Sequence, residues 1–402
     1  MKLFDKNQNL FSVLLLIVSI LYFFNILIFH VNFDELIGTK GLLINYDGGF
    51  IRRGLLGEII TSLSLSFNFE IKNIFTFLHI SNYLIFFYLN YLFFNIFKKN
   101  FLFYFFIFSP LYFFYPLIAV TTKFAEHIIQ REIYVITFFL IYTYLCLKIQ
   151  NRNINFLIGI ILLTFLTFLY ELTILCFPFF FTIYYIFLKR NEYQIKFYEI
   201  FISSVFCLSI IVFHFLNYGE SNIELVVENL NRNFNFNYTS DDLLYSWLNK
   251  EISKQIIFFM DGFKINYILR YIFYAHPILL LIFINFKFVK DKIFIFLFIA
   301  SISLFCILFG IATDWARFVH ILYTLSLITF IFYHTKNSQD IFLKSGNLFL
   351  EKFKINQNFA NTFVIIYCLI WNLKHTFWQN HLSFAFLKIF QQNMLYFNEL
   401  IF

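Results

Sequence analysis

Charge is scarce in this chain. Asp, Glu, Lys and Arg make up only 13% of 402 residues, while 60% are hydrophobic and the mean hydropathy is +0.74. Long apolar runs recur from end to end, which excludes an ordinary soluble fold and predicts an all-α, polytopic helical membrane protein of about 10–12 spans. Glycine (11), proline (4) and cysteine (5) are also few. The cysteines Cys146, Cys176, Cys207, Cys306 and Cys368 all fall inside apolar runs with no CxxC or metal spacing, so they read as small buried apolar residues. No GxxxxGK[ST], HExxH or GxSxG occurs, so the chain carries no motif sign of an ATPase, a zinc peptidase or a serine hydrolase. No cofactor is expected, a divalent metal is not indicated by any motif, and no basic tail points to nucleic acid. Similar Gly-broken halves, the mark of repeat-built transporters, are missing too. Phenylalanine is the exception to scarcity at 67 residues. Its enrichment alongside Ile, Asn, Lys and Tyr matches AT-rich codons more than an aromatic binding device.

Glycine is not only rare but concentrated. Six of the eleven lie between Gly38 and Glu58, in GTKGLLINYDGGFIRRGLLGE. A turn on Gly48–Gly49 would set Asp47 and the pair Arg52–Arg53 a few residues apart. Arginine's planar fork suits phosphate or carboxylate. One reading is therefore an anion-binding segment for a lipid-linked substrate. The other is a tight turn whose arginines anchor to lipid headgroups.

Lys2 and Lys6 place the N-terminus in the cytoplasm by the positive-inside rule. The run Phe11 to Phe29 is longer than a signal-peptide core and no small-residue cleavage site follows it, so it reads as a retained first span. An exterior segment of about 31–72 follows, whose part from Leu55 to Phe67 is a short interfacial helix. Pro110 and Pro116 break or kink the third span. The run from Asn155 to Leu188 has cationic flanks at both ends, so it is a hairpin with its apex at Tyr170–Glu171. The longest exterior loop, about 217–266, carries amphipathic helices, IELVVENL among them. A cytoplasmic segment covers about 334–361. Sorted this way, the cationic surplus falls inside, and residues 1–402 read as one integral-membrane domain.

Mixed charges gather at the exterior ends of separate segments: Asp34, Glu35, Asp47, Arg52, Arg53, Arg131, Glu132, Glu171, Arg270, Asp314 and Arg317. Charge in hydrocarbon is costly, so such residues face a cavity or a partner. In TDWARFVH, Asp314 and Arg317 share a helix face: a carboxylate beside a phosphate-binding guanidinium, or an internal ion pair. In EHIIQRE, helical spacing puts His127 beside Arg131, with the histidine as a base or as a solvated loop residue. Glu171 is a hairpin tip reaching water or a cavity-lining acid with a raised pKa. Asp34 and Glu35 are a catalytic pair or a plain exterior flank.

A first span followed at once by an acidic exterior loop with interfacial helices resembles the GT-C class of membrane glycosyltransferases. The overall pattern, with DGGFIRRGLLG and DWARF, also resembles Wzy-type O-antigen polymerases. The resemblance implies a polyprenyl-(di)phosphate-linked saccharide as substrate, alongside membrane lipids. It implies a catalytic carboxylate among Asp47, Asp314, Glu171, Asp34 and Glu35. Substrate would be held by Arg52, Arg53, Arg131, Arg317 and His127, with Gly48 and Gly49 shaping the loop. The alternative is a lipid-linked oligosaccharide flippase or other small-solute transporter, which needs charge through the membrane's depth.

Overall fold

The computed structural model describes residues 6–33, 37–118, 126–217, 222–241, 243, 271–310, 315–335 and 340–370. The described residues are helical, with no β-strand among them. Seven helical segments among them are long and apolar enough to cross a membrane: Leu10–Val31, Ile71–Asn95, Arg152–Leu169, Glu171–Arg190, Phe197–His214, Lys292–Phe309 and Trp315–His334. The protein is an all-α polytopic membrane protein. Further helices are shorter. The chain divides into two compact units. One comprises Met1–Asn25, Ile85–Ile128 and Asp261–Phe402; the other comprises Ile26–Leu84 and Ile129–Met260.

The second unit contains α2 (Ile37–Leu42), α3 (Gly54–Phe67), α7 (Glu132–Lys148), α8 (Arg152–Leu169), α9 (Phe177–Arg190), α10 (Phe197–Leu216) and α11 (Ile223–Phe234). Helix starts are set by asparagine. Asn151 accepts from the Ile154 N–H to cap α8, and Asn222 accepts from the Glu224 and Leu225 N–H groups to cap α11. The α8–α9 hairpin turns where expected. α8 stops at Tyr170, and a 3-10 segment, Glu171–Cys176, leads into α9 with Pro178 in its first turn. Proline is tolerated there because its missing N–H has no helical partner at that position.

The far end of this hairpin is closed by a fork that the sequence did not suggest. Arg152 Nε and Nη2 each donate to Glu199 at 2.5 Å, and the Tyr184 hydroxyl donates to the same carboxylate at 2.6 Å. The starts of α8 and α10 are thereby tied to α9.

The first unit contains α5 (Phe101–Ile107), α6 (Tyr115–Ile118), α12 (His276–Phe288), α13 (Lys292–Phe305), α14 (Trp315–His334), α15 (Ile341–Phe353) and α16 (Gln357–Ile370). α1 (Lys6–Val31) begins in it and α4 (Ile71–Asn95) ends in it. The helix expected from Phe101 is interrupted, as Pro110 and Pro116 predict: α5 ends at Ile107 and the chain turns before α6. α14 is buried over 94% of its span, against 28% for the α13 span, so α14 is the core of this unit and α13 an outer, apolar-faced helix. Tyr323 on α14 donates to the Phe106 carbonyl at 2.7 Å, and His320 faces the Leu111 carbonyl at 2.6 Å. These bonds satisfy carbonyls that the proline-broken stretch leaves without helical partners.

Candidate functional site

The glycine-rich segment folds as a close-packed turn under α3. Gly49 has φ 100° and donates to the Tyr46 carbonyl at 3.0 Å. Gly48 lies so close to the start of α11 that a Cβ there would collide with the Asn222 backbone; its carbonyl accepts from the Asn222 N–H at 2.8 Å. A Cβ on Gly57 would strike the Ile44 carbonyl. Two of these glycines therefore permit backbone to cross backbone. The effect is to present Arg52 and Arg53 at the start of α3, where Arg53 itself adopts left-handed φ 68°. A left-handed arginine costs about 1–2 kcal/mol and needs its surroundings to hold it.

What holds it is Glu171, at the hairpin apex. Arg53 Nη2 donates to Oε1 at 2.7 Å and Nε donates to Oε2 at 2.8 Å, a bidentate fork. Arg52 Nη1 stands 3.8 Å from Oε1. Side-chain exposures of 24%, 19% and 11% for Arg53, Arg52 and Glu171 place the group mostly out of water. Arg53 also sits over the Tyr170 ring at 5.0 Å. Arg131 joins from the start of α7. Its Nη2 donates to the Gly41 carbonyl at 2.9 Å and the Arg53 carbonyl at 3.3 Å, while its Nε is buried without a hydrogen-bond partner. Burial, with Arg53 beside it, lowers the Arg131 pKa to about 10 against the opposing pull of Glu171 and Glu132. Arg52 and Arg53 thus meet at Glu171, and Arg131 joins them through the Arg53 backbone, with the buried Glu132 next to it in sequence.

The turn before them carries more polar groups. Asp47 is exposed; its Oδ2 accepts from Asn45 Nδ2 at 3.0 Å. Glu58 accepts from the Tyr46 N–H at 3.1 Å. Burial, with Glu58 beside it, pushes the Tyr46 phenol up to about 12. Phe50 stacks on Tyr46 and lies edge-on to Phe168 and Phe213, and this aromatic nest also encloses His214. Both His214 ring nitrogens are buried without a hydrogen-bond partner.

Several expected residues stand differently. The α-helical spacing that pairs His127 with Arg131 does not form: Glu126–Ile129 is a 3-10 turn that ends before Arg131. Glu171 is a hairpin tip, but it neither stands alone nor faces open water. Arg317 lies in the first turn of α14, in the other unit, with a half-buried side chain. Asp34, Glu35, Asp314 and Arg270 lie outside the described residues. Tyr170, Tyr46, Glu58 and His214 were not singled out from sequence as site residues. Only Tyr170 had a signal, as part of the predicted apex.

Among the described residues no group of three or more His, Cys, Asp or Glu side chains gathers. Compared with protein-family models, curated proteins and solved structures, the chain matches none.

Proposed function

We propose that the chain is an integral-membrane glycosyltransferase or polysaccharide polymerase that takes a polyprenyl-(di)phosphate-linked sugar at the exterior face of a bacterial inner membrane. The observation that carries this reading is the gathering of Arg52, Arg53 and Arg131 near the hairpin apex, where the Arg131 Nε–H is buried without a hydrogen-bond partner. In a partly dry site a guanidinium N–H left without an acceptor favours an added anion, and arginine's geometry favours phosphate. Glu171 already accepts the Arg53 fork, so its role is to orient the arginines. Asp47, exposed at the neighbouring turn, is the group left to take a proton.

In the reaction, a carboxylate such as Asp47 removes the acceptor hydroxyl's proton as its oxygen attacks the anomeric carbon. The bond from that carbon to the phosphate oxygen breaks. Arg52, Arg53 and Arg131 offset the charge that develops on the leaving (di)phosphate. Arg317, from the other motif, lies in the first unit and is given no part in this step. The flippase alternative is left without an observation of its own.

The test is the surface glycan profile of a strain lacking the gene, complemented with the wild-type chain or with Arg52→Ala at matched protein level. Loss of long chains with one repeat unit retained indicates a polymerase. Loss of all glycan, or a product short by one sugar, indicates a transferase acting earlier or a flippase. An unchanged profile in the variant removes the reading.

A further inference from the structure

We propose that the end of the first unit formed by α5, α12 and α15 binds one anionic glycerophospholipid, with an acyl chain in its cavity and the phosphate held by Lys287 and Lys352. The inference stands apart from the arginine cluster and does not depend on its function.

The cavity holds about 270 Å³. That is slightly below the roughly 300–1,000 Å³ of pockets that enclose whole small ligands, so it suits one segment of a long molecule. Its walls are apolar: Leu102 from α5, Leu280, Phe283 and Ile284 from α12, and Leu348 and Phe349 from α15. Three polar groups interrupt them: Lys287, Lys352 and Ser345. The Ser345 hydroxyl is buried without a hydrogen-bond partner. Buried hydroxyls are normally satisfied, so this one points to an oxygen-bearing ligand. Both lysines are exposed. The Lys352 ammonium stands 5.9 Å from the Phe283 ring centre and 5.7 Å from that of Phe353, which keeps the charge over the apolar mouth.

The shape of this end follows from Asn100. Its side chain caps α5 by accepting from the Phe103 N–H at 3.0 Å, and its Nδ2 donates to the Phe342 carbonyl on α15 at 2.7 Å. Gly346 allows the approach, since a Cβ there would collide with Asn100 Nδ2. α15 is thus pinned across the start of α5. The flanks of these helices carry Lys98, Lys290, Lys292, Lys344 and Lys354. Of the carboxylates nearby, Asp340 pairs with Lys98 at 3.3 Å and Asp291 caps α13, leaving Glu351 as the other one in α15. A cationic rim around an apolar slot, where the apolar α12 ends and the membrane-crossing α13 begins, is complementary to a lipid with a negative head. Free phosphate would leave the slot's apolar walls unused.

The experiment is native mass spectrometry of the purified full-length protein with dioleoyl phosphatidylglycerol and, separately, dioleoyl phosphatidylcholine. The chains are identical, so only the head differs. One phosphatidylglycerol per chain is expected to bind about tenfold more tightly than phosphatidylcholine. Each lysine near a membrane surface contributes roughly fivefold, so Lys287→Ala with Lys352→Ala should lose tenfold or more. Leu348→Trp, which fills the slot and keeps the lysines, should also lose the bound lipid. Equal affinity for the two lipids would overturn the proposal and mean annular binding only. So would phosphatidylglycerol binding that neither variant changes. If the double lysine variant fails to purify, Leu348→Trp decides: wild-type binding by it refutes the site.

Discussion

Replacing Arg53 tests whether the apex fork is as strong as its geometry requires. Arg53 gives Glu171 two charge-assisted hydrogen bonds, at 2.7 and 2.8 Å. Such bonds contribute about 1.5–3 kcal/mol each when desolvated. Residual exposure of both side chains calls for the lower figure, so the pair should couple by about 3 kcal/mol. Arg52, at 3.8 Å, should couple by less than about 1 kcal/mol. The assay is equilibrium unfolding in mixed micelles of wild type, Arg53→Ala, Glu171→Gln and the double variant. The Arg53→Ala variant alone should lose about 3 kcal/mol, because it leaves Glu171 mostly buried without its bidentate partner. Arg53→Lys should recover little, since an ammonium cannot span both oxygens. A coupling energy below about 0.5 kcal/mol, or an Arg52 coupling larger than Arg53's, would refute the fork as the apex's organising contact.

Other outcomes follow from the same reasoning. Arg152→Ala strips a carboxylate that is 1% exposed of its main partner. It should cost about 3–5 kcal/mol in the same unfolding assay, more than Arg53→Ala. Asn222→Ala removes two capping bonds and should cost about 1 kcal/mol, read as faster amide exchange across Ile223–Phe234. Gly57→Ala should destabilise by about 1–3 kcal/mol, because the Ile44 backbone must move aside, whereas an alanine at exposed Ser66 should change little.

The helical membrane fold was legible because apolar run length and flanking charge are written directly in sequence. The hairpin apex at Tyr170–Glu171, the amphipathic α11 and the break after α5 all come from such local signals. The partnerships were not legible. Sequence brought Arg53 and Glu171 to one end of the spans, but pairing them depends on how α3 packs beside the hairpin, 118 residues away. Glu199 reads as an ordinary flank of a span until the fold sets it against Arg152. The spacing argument for His127 failed because a 3-10 turn replaced the α-helix on which it rests. Gly48 was read as a turn former; its second task, letting α11 approach, is a long-range contact that no local pattern carries.

The central claim is that the arginine cluster recognises the phosphate of a lipid-linked sugar. Its most direct test is binding of a polyprenyl diphosphate, against the polyprenol of equal length, to the protein in nanodiscs of neutral lipid. Wild type should prefer the diphosphate by tenfold or more, and Arg52→Ala and Arg131→Met should each erase most of that preference. A wild-type protein with no preference, or variants that keep it in full, would contradict the claim.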